Sequence, residues 1–246
     1  TLNRPSIAPA GESRPNTEIF RMIAARMGGS LDHAAMRDDD IALIAQALDT
    51  PHERMQGVTL EALLERGWAR LNVPTPYLPF AEGNFPTPSG RCELRSSRME
   101  ELGFDALPAF TAPYEFPEIV PDLAARYPLT LISSPAHQFL NSTFVNIGSL
   151  QRAVREPELV INRTDAEPRG ISTGMQVVVY NDRGSFAACA RVEDSIRDGV
   201  VWAPSIWWGK LAPDVCNANQ TTSQLETDLG HGPVFYDNLV EVSPSH

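Results

Sequence analysis

The stretch LTLISSPAHQFLNSTFVN, residues 129–146, is where the reading of this chain begins. Leu129, Leu131 and Ile132 form a short apolar run, long enough for a buried strand. Ser133-Ser134-Pro135 breaks it. Beyond the break His137, Gln138, Asn141, Ser142, Thr143 and Asn146 interleave with Phe139, Leu140 and Phe144, and no residue carries a formal charge. A strand that empties into neutral hydrogen-bonding side chains suits a polar ligand needing many directed contacts. The competing reading is an ordinary loop capped by its own Ser, Thr and Asn side chains.

Around this stretch the sequence is β in character. Leu159–Ile161, Val177–Tyr180, residues 185–192, Val200–Trp202 and Leu239–Val242 each read as a strand, and Asn181-Asp182-Arg183-Gly184 as a hairpin turn. Short strands separated by Gly and Asp turns within about 120 residues predict a closed or nearly closed barrel. Upstream, Pro108, Pro113, Pro117, Pro121 and Pro128 punctuate a linker, which places a domain boundary near residue 126.

The first half reads as helical. Asn16 or Thr17 caps a helix ending at Met27, Asp38-Asp39-Asp40 opens a second, and Thr59 caps a third with Leu60, Leu63, Leu64 and Leu71 as its buried stripe. The three aspartates are explained by the helix dipole, with a metal-binding acidic cluster as the sharper alternative. Residues 91–94 are expected as a short strand and 97–102 as a helical turn. Three short amphipathic helices make a thin core for over a hundred residues. Together with Thr1 in place of Met, this leads us to expect a piece of a longer protein whose remainder supplies part of the burial.

Composition excludes several classes. With 42% hydrophobic and 21% charged residues among 246, the chain can fill a core. No window approaches the roughly 20 unbroken apolar residues of a membrane helix. A net charge of -11 opposes binding to nucleic acid or an anionic membrane. Cys92, Cys189 and Cys216 contain no CxxC pair, and His33, His52, His137, His231 and His246 no HxxxH pair, so no metal site is expected from this chain. The odd cysteine count fits a reducing compartment, cytoplasmic before periplasmic. No GxSxG elbow supports a nucleophilic hydrolase.

Ordered blocks of residues give a resemblance. SSPAHQFLNSTF (133–144), LVINRTDAEPRGI (159–171), VVVYNDRGSF (177–186), NANQTT (217–222) and the glycine-rich segment 228–237 occur in the order and spacing of the C-terminal cofactor-binding domain of dimethyl sulfoxide reductase family molybdopterin oxidoreductases. EIFRMIAARMG (18–28) and FPTPSGRCEL (85–94) extend the likeness into the first half. The sequence departs from the family pattern at Arg163, where Pro is usual, at Thr221, where Leu is usual, and at Arg91, in place of Lys. The resemblance covers nearly the whole chain but only the C-terminal third or so of family members.

The resemblance implies an α+β fold: a helical segment and Pro-rich linker over 1–126, part of a larger domain, then a six-stranded double-psi-type barrel over 127–246. It implies a pterin guanine dinucleotide complex of molybdenum or tungsten, with the metal ligand and any iron–sulfur cysteines outside this chain. It therefore implies an oxidoreductase, performing two-electron redox or oxygen-atom transfer, of which this chain is a cofactor-holding part and is inactive alone. The implied partners are the N-terminal part of the same enzyme, a small-molecule substrate and an electron-transfer subunit. Ser133, Ser134, His137, Asn141, Ser142, Thr143, Asn219, Thr222 and Phe235 are the expected cofactor contacts, none of them catalytic. Arg163, Arg169 and Arg183 are candidates for pyrophosphate, with a solvated role favoured for Arg183 in its turn. Burial is favoured for one of Trp207 and Trp208. The rival readings are a stand-alone barrel-type binding module and a hydrolase or decarboxylase on a similar barrel.

Overall fold

A computed structural model describes residues 1–31 and 33–245, so Asp32 and His246 lie outside the described residues. The chain divides into two compact units, residues 1–107 and 108–246.

The first unit is made of short helices. Helix α1 spans Asn16–Met27, with Pro15 rather than Asn16 or Thr17 in the capping position. Helix α2 (Asp40–Leu48) is capped by Asp39, whose carboxylate accepts from Ala42 N at 2.8 Å, so this acidic residue serves the helix end. Helix α3 (Leu60–Arg66) starts at the expected Thr59 cap and stops at Gly67, which adopts φ +77. That left-handed cap ends the helix before Leu71, and only Leu63 of the expected stripe is buried. Helix α4 spans Ser97–Glu101. The strand expected over residues 91–94 does not form. Thr87 and Ser89 bind Arg91 and Glu93 in local turns there, and no neighbouring strand pairs with them.

The second unit is a closed six-stranded barrel, as expected. Its strands are β1 (Leu129–Ile132), β2 (Glu158–Ile161), β3 (Gln176–Asn181), β4 (Gly184–Val192), β5 (Val200–Trp202) and β6 (Leu239–Pro244), in the order β1-β5-β2-β4-β3-β6. β1 runs parallel to β5 and β2 parallel to β4; the remaining neighbours are antiparallel. Inward residues alternate along the strands: Leu129 and Leu131, Val177 and Val179, Phe186, Ala188 and Ala190, Val240 and Val242. The two alanines of β4 suit the narrow interior of a small barrel.

The compact units divide at Leu107–Pro108 rather than near residue 126. The chain expected as a Pro-rich linker is tied to the barrel. Within it Pro121 starts a helix, α5 (Pro121–Arg126), and Arg126 grips Asp182 of the hairpin turn with two bonds of 2.8 and 2.7 Å while the Tyr127 hydroxyl donates to the same carboxylate at 2.7 Å. Two further helices, α6 (Gly148–Val154) and α7 (Arg163–Ala166), fill the connections on either side of β2. Among the described residues no helix is long and apolar enough to cross a membrane.

Two outcomes test this packing. Leu159 is fully buried in the barrel core, so Leu159→Ala lowers stability by about 2–5 kcal/mol, read as a shift of the urea midpoint. The Arg126 and Tyr127 bonds hold the Asp182 carboxyl below the usual aspartate range. A depressed folded-state value means a contribution present above the unfolded value and lost as pH falls through the folded one. Arg126→Ala therefore returns the Asp182 titration, followed by carboxyl NMR, towards the ordinary range.

Candidate functional site at one end of the barrel

Strand directions collect most of the candidate residues. β1 and β5 are parallel, so the chain leaves both at the same barrel end, and β6, antiparallel to β1, enters there. The β3–β4 turn lies at that end too, because β3 is antiparallel to β6. The loops over residues 133–147 and 203–222, the approach to β6 and the Asn181–Gly184 turn thus share one face of the barrel. Eight of the nine expected contacts sit on the first two loops.

Those two loops hold each other. Trp202 Nε1 donates to Ser134 Oγ at 2.9 Å, Ser205 N to Ser134 O at 2.8 Å, and Trp208 Nε1 to Ser142 O at 2.8 Å. The Ser205 hydroxyl donates to the Asn141 carbonyl. Beneath them Phe139 and Trp207 meet edge to face at 5.4 Å, with Ala136 and Val145 in the same buried cluster. Trp207 is the buried member of the tryptophan pair, while Trp208 is partly exposed under the amine of Lys210, the only lysine of the chain. Asn141, Phe144 and Ser205 have positive φ, which places local backbone strain where the loops meet.

This arrangement leaves the polar side chains unspent. Ser133, His137, Asn141, Ser142, Thr143 and Asn219 make no side-chain hydrogen bond to another described residue, and all but Ser133 are exposed. A self-capped loop would consume these groups. Here the loop is instead closed by the Leu140–Thr143 backbone bridge and by side chains of its neighbour, so its own donors and acceptors face outward. Ser134 is engaged with Trp202, and the Thr222 hydroxyl with Asn219 O at 2.9 Å.

The 217–222 loop joins the group through Asn217, whose Nδ2 donates to Trp207 O at 3.1 Å. It also abuts the hairpin turn: a Cβ on Gly184 would lie 2.8 Å from Gln220 O. Phe235 stands elsewhere, on a cleft of about 560 Å³ between residues 111–114 and 227–237 that none of the other eight lines.

The arginines have structural partners. Arg163 pairs with Asp194 at 3.3 Å and Arg169 with Glu241 at 2.6 Å, both from the connection at the opposite barrel end. Arg183 is exposed at its turn, yet it is not left to solvent alone. It forms a bidentate pair with the buried Glu115, at 2.5 and 3.2 Å. A carboxylate delivered from 68 positions upstream in the chain leaves no local signal in the sequence. Cys189 is a free thiol that burial, chiefly, and the neighbouring Glu156 push up from the ordinary range.

Residues 129–239 match the molydopterin dinucleotide binding domain family. The chain is 34% identical to "Probable oxidoreductase YoaE" of Bacillus subtilis over 242 residues, 98% of this chain and 34% of that protein. It is 28% identical to the dimethyl sulfoxide/trimethylamine N-oxide reductase of Cereibacter sphaeroides, over 84% of this chain and 27% of that one. Among solved structures, acetylene hydratase from Pelobacter acetylenicus superposes with a TM-score of 0.70 at 22% identity, over 97% of this chain and 34% of that chain. The chain thus spans about a third of the length of the relatives it matches.

The close approach of the turn to the second loop yields a prediction. Gly184→Ala displaces residues 217–222 and speeds amide hydrogen exchange there, while exchange in β1 and β6 stays slow.

Proposed function

We propose, from the premise that residues 129–239 are a molydopterin dinucleotide binding domain of the dimethyl sulfoxide reductase family, that this barrel end holds the pterin dinucleotide of a molybdenum or tungsten oxidoreductase. The observation that carries the reading is the set of unspent neutral side chains on the two interlocked loops. A pterin is flat, neutral and dense in donors and acceptors. Amide, hydroxyl and imidazole groups read such a ring without leaving a stranded charge beside it. Their chemistry therefore fits the group.

In this reading His137, Asn141, Ser142 and Thr143 form one wall, and Asn219 with Thr222 approaches from the second loop. Ser133 and Ser134 offer hydroxyl and backbone groups to phosphate. Phe235, on its separate cleft, is assigned to the margin of the site. The metal–pterin group supplies two-electron chemistry when bound. The residues of this chain bind and orient it, and their hydrogen bonds to the ring tune its electronics.

The whole protein would need chain beyond these residues for its metal ligand, substrate pocket and any iron–sulfur cluster. Its implied partners are that N-terminal part, a small-molecule substrate and an electron-transfer subunit. The similar proteins bear the names of reductases and of a hydratase, which fits a domain that holds the cofactor and leaves the choice of reaction to residues elsewhere. No observation favours a stand-alone binding module.

In the full-length enzyme, His137→Ala and Asn219→Ala are expected to lower the pterin and metal retained after purification, measured per mole of folded protein. Normal content in both variants would reject the assignment. The 246-residue chain by itself is expected to show no turnover with artificial electron donors.

A further inference from the structure

Behind the second loop lies a polar cluster built from four separate parts of the chain. Glu115 comes from the segment before α5, Asn181 and Arg183 from the hairpin turn, Thr221 from the 217–222 loop, and Asn238 from the approach to β6. The Glu115 carboxylate accepts from both terminal nitrogens of Arg183 and, at 2.7 Å, from Leu239 N. Arg183 Nε donates to Thr221 O at 2.6 Å and its Nη2 to Asn238 Oδ1 at 3.1 Å. Asn238 Nδ2 donates to Thr221 Oγ1 at 2.9 Å, and Asn181 Nδ2 reaches both Thr221 O and Asn238 Oδ1. Thr221 and Asn238 are sealed from solvent.

Barrel stability alone does not call for this arrangement, since taking the Glu115 carboxylate out of water carries a cost that its pair with the partly exposed Arg183 must first offset. What distinguishes it is geometry. A guanidinium fork fixes direction as well as distance, and this one is locked from both sides. One side is the Glu115 carboxylate, itself anchored where Tyr114 N and Glu115 N donate to Asp237 at 2.6 Å. The other is the carbonyl of Thr221, the residue between Gln220 and Thr222 on the loop that presents Asn219.

We propose that Arg183 is a positioning residue for the cofactor-facing loop, with Glu115 as the group that orients it. Retention of the pterin dinucleotide then depends on a segment preceding the barrel, whose hydrogen bonds to the barrel unit go to Arg183, Glu226, Asp237 and Leu239 rather than to Asn219 or Thr222. The inference rests on the reading that Asn219 and Thr222 face the ligand. Its structural half, that Arg183 orders residues 217–222, is measurable without ligand.

The test compares Arg183→Ala, Arg183→Lys and Glu115→Gln with Arg169→Ala in the full-length enzyme. Arg169 makes a bidentate pair with Glu241 from the other end of the barrel and controls for general loss of stability. Exchange of amides 217–224 in cofactor-free protein and pterin retained in purified enzyme are the readouts. Arg183→Ala is expected to speed that exchange about tenfold, equivalent to ~1.4 kcal/mol of local opening, and to lower retained pterin. Arg183→Lys, which cannot make the Nε bond and the fork together, falls in between, and Arg169→Ala leaves the loop's exchange unchanged. Should Arg183→Ala fail to fold, Glu115→Gln, which keeps the shape and removes the charge, speeds the same exchange by a smaller factor. Unchanged loop exchange in the Arg183 and Glu115 variants, or an equal change in Arg169→Ala, overturns the proposal. Faster exchange with undiminished pterin overturns it as well when Asn219→Ala does lose pterin. If Asn219→Ala also retains pterin, the assignment of the loop to the cofactor is what has failed.

Discussion

The pairing of the first barrel strand with the last, Leu129 with Val240 and Thr130 with Leu239, is the constraint on which the rest of this unit depends. It closes the sheet, so no strand edge is left unpaired. It also brings the approach to β6 beside the exit of β1, where Asn238 O accepts from Leu131 N. Without closure the loops over 133–147 and 203–222 and the segment before β6 would end at unrelated places. With it they share one rim, and the apolar interior from Leu129 to Val242 serves as the rigid floor beneath them.

On that rim, apolar and polar roles are divided between residues a few positions apart. Phe139, Val145 and Trp207 turn inward and weld the two loops, and Trp208 and Ser205 bind the neighbouring backbone. This frees His137, Asn141, Ser142 and Thr143 from the task of holding their own loop. A loop stabilised by its own polar side chains would have little left for a ligand. One stabilised by tryptophans and by the carbonyls they engage keeps its hydrogen-bonding capacity, which is what a neutral, donor-rich ring requires.

The segment from Pro108 to Tyr127 acts as part of the barrel unit. Proline spacing suggested a linker, and Tyr114, Glu115, Arg126 and Tyr127 within it each bond to barrel-unit residues more than fifty positions away. Three of these residues converge on the hairpin turn, Arg126 and Tyr127 at Asp182 and Glu115 at Arg183. The turn is thereby a junction between the preceding segment and the 217–222 loop, a role that its surface-turn composition conceals.

Local pattern was enough to determine the six strands, the Thr59 helix start, a second helix at the Asp38-Asp39-Asp40 run, and the polar stretch after β1, because alternation, capping and turn chemistry act over a few residues. The ordered blocks likewise carried the resemblance to a molybdopterin-binding domain. Only the tertiary structure decided that Arg183 binds a buried carboxylate, and that Phe235 lies on a cleft that the other eight candidates do not line. It also decided which of the polar side chains are left free. These outcomes depend on which distant segments meet once the barrel closes, and the partners, Glu115 for Arg183 and Trp202 for Ser134, lie 68 residues away in each case, far beyond the reach of any local pattern.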